Sequence, residues 1–157
     1  MSRAFVKETD EMAPLPERPL SPCPNYVTEQ GLAAIDAELA RVTEAFAQAQ
    51  SAGDRDAQAR IGRDLRYWQQ RRASAELFVP DPQSDVVQFG STVTIERDDG
   101  RIQTWRIVGE DEADPAKGSI SYVAPLARAL IGKAVGDAVA AVATEAEITA
   151  ITQDVSG

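Results

Sequence analysis

Ile120-Ser121-Tyr122-Val123-Ala124-Pro125-Leu126-Ala127-Arg128-Ala129-Leu130-Ile131-Gly132-Lys133-Ala134-Val135-Gly136-Asp137-Ala138-Val139 is the stretch from which the fold is read. Ile120 to Val123 reads as a short strand. Pro125 suits the first turn of a helix, because its φ is already set and its missing N–H would have no partner there. Leu126, Leu130 and Ile131 give that helix one apolar side, and Gly132 supplies a left-handed stop. Gly136-Asp137 then turns the chain into another strand near Val139. Local chemistry alone makes this a strand–helix–strand corner.

Working upstream, the period from Val86 onward is two. Val93 and Ile95 alternate with Thr92, Thr94 and Glu96, and Asp98-Asp99-Gly100 is a turn signal. Ile102 to Val108 returns as a strand containing Trp105. Asp114-Pro115-Ala116-Lys117-Gly118 is a second turn, with proline preset at its second position. Val139 to Ala143 and Ile148 to Ile151 complete about five strands and one short helix, an antiparallel α+β domain.

Before residue 80 the period is helical. Thr28 is a helix cap, and Leu32, Ile35, Leu39, Val42, Phe46 and Ala49 recur at heptad spacing. Ser51-Ala52-Gly53-Asp54 interrupts them, with Gly53 ending one helix and Asp54 capping the next. A second seam follows at Gln58, Ile61, Leu65, Trp68, Arg72, Ala75 and Val79, closed by Pro80 and Pro82. Two such seams joined by a tight turn predict an antiparallel coiled-coil hairpin over 26–79. Residues 1–25 hold five prolines and read as a flexible leader. The third unit is 80–157.

Several function classes are removed by composition. The chain has no histidine and one cysteine, Cys23, which excludes Ser-His-Asp and Cys-His catalysis, imidazole metal sites and an internal disulfide. Gly132-Lys133 is followed by Ala134, so no Walker phosphate loop exists there. A net charge of −9 argues against wrapping duplex DNA. That charge is unevenly placed: residues 54–73 hold six arginines against three aspartates, whereas 81–157 hold six basic against thirteen acidic side chains. A basic arm is attached to an acidic body.

Taken in order, Phe89-Gly90, Arg106-Ile107-Val108-Gly109, Asp111-Glu112, Pro125-Leu126-Ala127-Arg128-Ala129-Leu130 and Gly136-Asp137 resemble the C-terminal domain of bacterial Gre-type transcription elongation factors. Tyr26-Val27-Thr28-Glu29-Gln30-Gly31-Leu32 and Gly53-Asp54-Arg55 look like the opening and the tip of that family's coiled coil. The resemblance runs from about Tyr26 to the end of the chain. It implies an α+β protein, a helical hairpin followed by an FKBP-like β domain. It further implies a cytoplasmic, monomeric protein that binds bacterial RNA polymerase at its secondary channel. The C-terminal domain would grip a coiled coil at the channel rim while the arm reaches toward the active centre and the nascent RNA. No membrane is involved, and such a factor is not an enzyme alone. It carries no cofactor of its own; Mg2+ enters only where it is shared with the polymerase active site.

Residue roles carry over position by position. The first of the two tip acids that help hold such a Mg2+ falls on Asp54, but the second falls on Ala57, with Asp56 as the nearby substitute. The arms are also shorter, by roughly one heptad each. Both departures weaken RNA cleavage and favour channel binding that regulates without it, as in the inhibitory relatives. Arg55, Arg60, Arg63 and Arg66 form a basic patch on the arm, either solubilising or meeting RNA or the channel wall. Glu110, Asp111, Glu112, Pro125 and Arg128 are the expected polymerase-binding set, with the three acids either an electrostatic latch or a solvated loop. Ala124 replaces the serine expected before Pro125, which removes a cap. A dimerisation module and a prolyl isomerase are the rival readings from other classes; the latter needs an aromatic-lined pocket, and 81–157 offers only Phe89, Trp105 and Tyr122.

Overall fold

Thr28 opens the first long helix, α1 (Glu29–Ala52), its side-chain oxygen accepting the Gly31 N–H at 3.0 Å. Gly53 ends it in the left-handed region, φ 67, where its N–H reaches the Ala49 and Gln50 carbonyls. Asp54 then caps α2 (Arg55–Ser74), accepting the Ala57 N–H at 3.1 Å. The two helices fold back as an antiparallel pair. In this computed structural model the described residues are 15–141 and 144–153.

On α1 the seam is as the spacing predicts, with Ile35, Val42 and Ala49 buried and Leu32, Leu39 and Phe46 flanking them. On α2 Gln58, Ile61, Leu65 and Trp68 are half-buried along the expected seam, and Arg72 departs from it. Ala57, Gly62 and Arg71 are the buried positions, and Arg72 points outward to Asp36 at 2.6 Å. Gly62 admits the Phe46 ring, since a Cβ there would come within 3.2 Å of a ring carbon. The helix also stops before the expected Ala75 and Val79. The Glu76 N–H donates to Asn25 O at 2.9 Å and the Phe78 N–H to Val27 O at 3.0 Å. These bonds draw the chain out of the helix into a parallel pair, β1 (Tyr26–Val27) with β2 (Glu76–Leu77). Strand pairing, rather than Pro80, ends α2.

The β domain is one five-stranded sheet. Its strands are β3 (Ser91–Arg97), β4 (Ile102–Val108), β5 (Ser119–Ser121), β6 (Ala138–Ala141) and β7 (Thr144–Gln153), in the order β5-β4-β3-β7-β6. All pairs are antiparallel except β4 with β5, so the sheet is mixed at that edge rather than wholly antiparallel. The connection 109–118 is long enough to carry the chain back to the start of β4, which a tight hairpin cannot do. The last residues of the strand expected over 139–143 lie outside the described residues. Helix α3 (Pro125–Leu130) starts at Pro125 and is followed by Gly132 at φ 87, as the opening stretch implies. Val87, Val93, Ile95, Ile107, Ile120, Leu130, Val139 and Ile148 form the core between α3 and the sheet.

Part of the expected leader has a defined place. Residues 15–25 run along α2 from the tip side toward the base: Glu17 meets Arg66, Arg18 meets Asp64 and Asn25 meets Arg71. Residues 1–14, the rest of that leader, lie outside the described residues. Among the described residues no helix is long and apolar enough to cross a membrane.

Candidate functional site

At the tip, Asp54 and Asp56 are both exposed, and Asp54 Oδ1 accepts the capping bond from the Ala57 N–H. Position 57 is turned into the helix–helix contact, only 8% exposed. Among the described residues no group of three acidic or sulfur ligands comes together. Mg2+ favours near-octahedral oxygen ligation.

Along the arm, Arg55 and Arg60 are exposed near the tip. Arg66 is taken by Glu17, whose carboxylate accepts from Nε at 2.8 Å and Nη2 at 2.6 Å. That guanidinium holds the Glu17 carboxyl below its usual range. Arg63 Nε lies 4.0 Å from Asp64 Oδ1. The four arginines therefore lie on one helix, with Arg66 covered by residues 15–25.

The acids at 110–112 are brought to the base of the hairpin. Arg71 donates to Asp111 at 2.5 Å, and the two side chains are 4% and 12% exposed. Arg71 also donates to Asn25 Oδ1 at 2.8 Å, while Asn25 Nδ2 donates to the Arg71 carbonyl at 2.7 Å. The Tyr67 hydroxyl donates to the other Asp111 oxygen. Burial first, and the Asp111 carboxylate after it, push this hydroxyl up to about 12. Glu112 accepts the Thr28 hydroxyl at 2.5 Å. Gly31 makes room for it, because a Cβ there would overlap the Glu112 carboxylate. Gly109 likewise lets the Tyr26 carbonyl approach.

This loop is not a solvated acidic loop. Asp111 and Glu112 join the arm to the β domain, and Asp111 already has its counter-charge. Around them Tyr26 and Phe78 from the hairpin base pack edgewise on Phe89, and Tyr26 at a tilt on Tyr122, with ring centroids 5.3–6.0 Å apart. Tyr122 Oη donates to the Pro24 carbonyl at 2.5 Å, and Arg106 to Gln30 at 2.9 Å. Pro125 and Arg128 sit apart from this joint, exposed on α3. Glu110 is half-buried, with one carboxylate oxygen enclosed and unbonded among the described residues.

Sequence spacing missed Asn25, Tyr67 and Arg71, which build the joint, and Glu17 and Arg18, which cover the arm. Nothing in a heptad count marks them, since their partners lie about forty or more residues away.

Residues 82–153 match the family described as transcription elongation factor, GreA/GreB, C-term. The chain is similar to transcription elongation factor GreB of Yersinia pestis, 37% identical over 144 residues, covering 80% of this chain and 84% of that protein. It is similar also to transcription elongation factor GreA of Desulfovibrio desulfuricans, 36% identical over 132 residues, covering 72% of this chain and 82% of that one. Among solved structures, the GreA factor homolog Gfh1 of Thermus thermophilus aligns over 82% of this chain and 99% of its own, at 20% identity and a TM-score of 0.40.

Proposed function

Because this chain belongs to the GreA/GreB family of transcription elongation factors, we propose that it binds RNA polymerase at the secondary channel and regulates elongation by occupying it. The chain is not an enzyme in its own right. Its β domain grips the channel rim through the exposed surface of α3, at Pro125 and Arg128, with Glu110 alongside. The arm enters the channel with Arg55 and Arg60 leading, close to the nascent RNA. The protein works in the cytoplasm, where its partner is.

One observation carries the preference for obstruction over cleavage: position 57, where the second acid is expected, is an alanine buried in the hairpin. A tip that is to share a metal with the polymerase needs more than one oxygen ligand facing outward. Here Asp54 gives one oxygen to the cap of α2, position 57 offers none, and Arg55 between the two aspartates repels a cation. The joint supports the same reading, since an arm bonded to its β domain by Arg71–Asp111 and Thr28–Glu112 enters as one body.

A backtracked elongation complex with labelled RNA tests this directly. The protein is expected to slow elongation and bind core polymerase while leaving the transcript uncleaved. Robust cleavage that disappears in Asp54→Ala would sink the obstruction reading and restore a shared-metal mechanism. Failure to retain core polymerase in a pull-down would remove the partner itself.

A further inference from the structure

On the channel-occupying reading, we propose that residues 15–25 are an autoinhibitory strap closed over the inner half of α2, which must swing away before the arm enters to its full depth. The strap has a firm end and a weak end. At the firm end Asn25 and Arg71 are 5% and 3% exposed. Asn25 Nδ2 donates to the Arg71 carbonyl at 2.7 Å, and Arg71 Nη2 donates to Asn25 Oδ1 at 2.8 Å. The Tyr122 hydroxyl holds the Pro24 carbonyl beside them. At the weak end Arg66 Nε lies 2.8 and 3.1 Å from the two Glu17 oxygens, but the Glu17 and Arg66 side chains are 59% and 54% exposed. Arg18 pairs with Asp64 at 3.2 Å and lies 3.9 Å from the Tyr67 ring centroid. Solvent-screened contacts of this kind are weak.

Between its ends the strap bridges α2 without packing on it. Among the described residues no hydrogen bond joins 19–22 to α2. Grooves of about 490 and 440 Å³, both lined by Leu20 and Gln70, stay open there, and Leu20 is 47% exposed. Pro16, Pro19, Pro22 and Pro24 stiffen the segment, so it turns as one piece about residues 24–25. Closed, it lies along α2 from Asp64 to Ser74, about 15 Å of helix at 1.5 Å per residue, and thickens an arm otherwise two helices wide. Among the described residues no strap residue is bonded to α2 on the tip side of Asp64. The tip half therefore enters unhindered, and the strap sets where entry stops. Contacts of Glu17 and of Arg18, each worth a factor of roughly three, favour the closed form about ten-fold and lower the apparent affinity for the polymerase by the same factor.

The test is binding of the full chain to immobilised core polymerase, with the strap loosened in one variant and locked in another. Glu17→Gln/Arg18→Ala removes one negative and one positive charge, so net charge and long-range steering stay as they are. It is expected to bind about ten-fold more tightly than the unaltered protein. For the lock, Leu20→Cys/Gln70→Cys in a Cys23→Ser chain is joined across the groove by a short bismaleimide. The locked form is expected to bind about ten-fold more weakly than the same variant capped with N-ethylmaleimide. Thermal melting confirms that each form is folded. Loosened protein that gains nothing, or locked protein that binds as tightly as its capped control, would overturn the strap while the unaltered chain still binds. Failure of every form to bind core polymerase would overturn the channel reading and the strap with it.

Discussion

With its guanidinium bonded to both Asn25 and Asp111, Arg71 has exchanged water for protein partners, and so has the carboxylate it faces. Breaking such a buried pair from one side strands the other charge. Asp111→Ala is therefore expected to cost about 3 kcal/mol of stability, whereas an apolar replacement of both partners costs much less. Urea midpoints of the single and double variants check this; equal losses in both would refute it. Tyr67 adds a pH dependence. Its hydroxyl is held at about 12 in the folded protein against 10.0 when free. Between those values the unfolded chain ionises while the folded one keeps its proton, so rising pH favours unfolding. The contribution is intact below pH 10 and is lost as pH rises to about 12. Tyr67→Phe is expected to flatten the decline in urea midpoint over that window, and an unchanged slope would show that Asp111 and burial do not hold this proton.

At the scale of the element, the hairpin turn decides what the tip can do. Gly53 stands at φ 67 with its N–H bonded back into α1. Gly53→Ala is expected to cost roughly 1–2 kcal/mol, the penalty of a left-handed conformation for a residue with a Cβ. Ala57 is the more informative position. Ala57→Glu restores the second acid in sequence but places it at a buried helix–helix contact. We expect it to destabilise the hairpin by roughly 2–3 kcal/mol and to leave RNA uncleaved. Cleavage gained by Ala57→Glu would mean that the tip rearranges on the polymerase to point this side chain outward.

For the whole molecule, the joint and the rim surface call for different experiments. Asp111 and Glu112 tie the β domain to α1 and α2, so reversing their charge disturbs the arm's attachment as well as any surface charge. Pro125 and Arg128 are exposed on α3, away from the joint. Pro125→Ala/Arg128→Ala is expected to lower core polymerase affinity about ten-fold with an unchanged melting temperature. Affinity equal to that of the unaltered protein would move the rim contact elsewhere on the β domain. Edgewise packing of Tyr26, Phe78, Phe89 and Tyr122 makes arm and β domain move together. An arm so anchored keeps a constant angle to the rim, which an obstructing part requires.

By itself the sequence determined the elements and their punctuation: the α1 seam, the cap at Thr28, the turn at Gly53-Asp54, the start of α3 at Pro125 and the turn at Gly132. Each depends on backbone preferences and neighbours within a few residues, so each is legible locally. Even the weak tip could be read there, from an alanine where the family has an acid. Tertiary structure alone decided the rest. It chose Arg71 over Arg72 as the inward arginine, ended α2 by pairing β2 with β1, and made Glu112 the partner of Thr28. It also laid Glu17 and Arg18 on α2. The physical reason is separation along the chain: Arg71 and Asp111 stand 40 residues apart, and Thr28 and Glu112 stand 84 apart. A buried charge is tolerable only where such a partner arrives, and no local pattern announces the arrival.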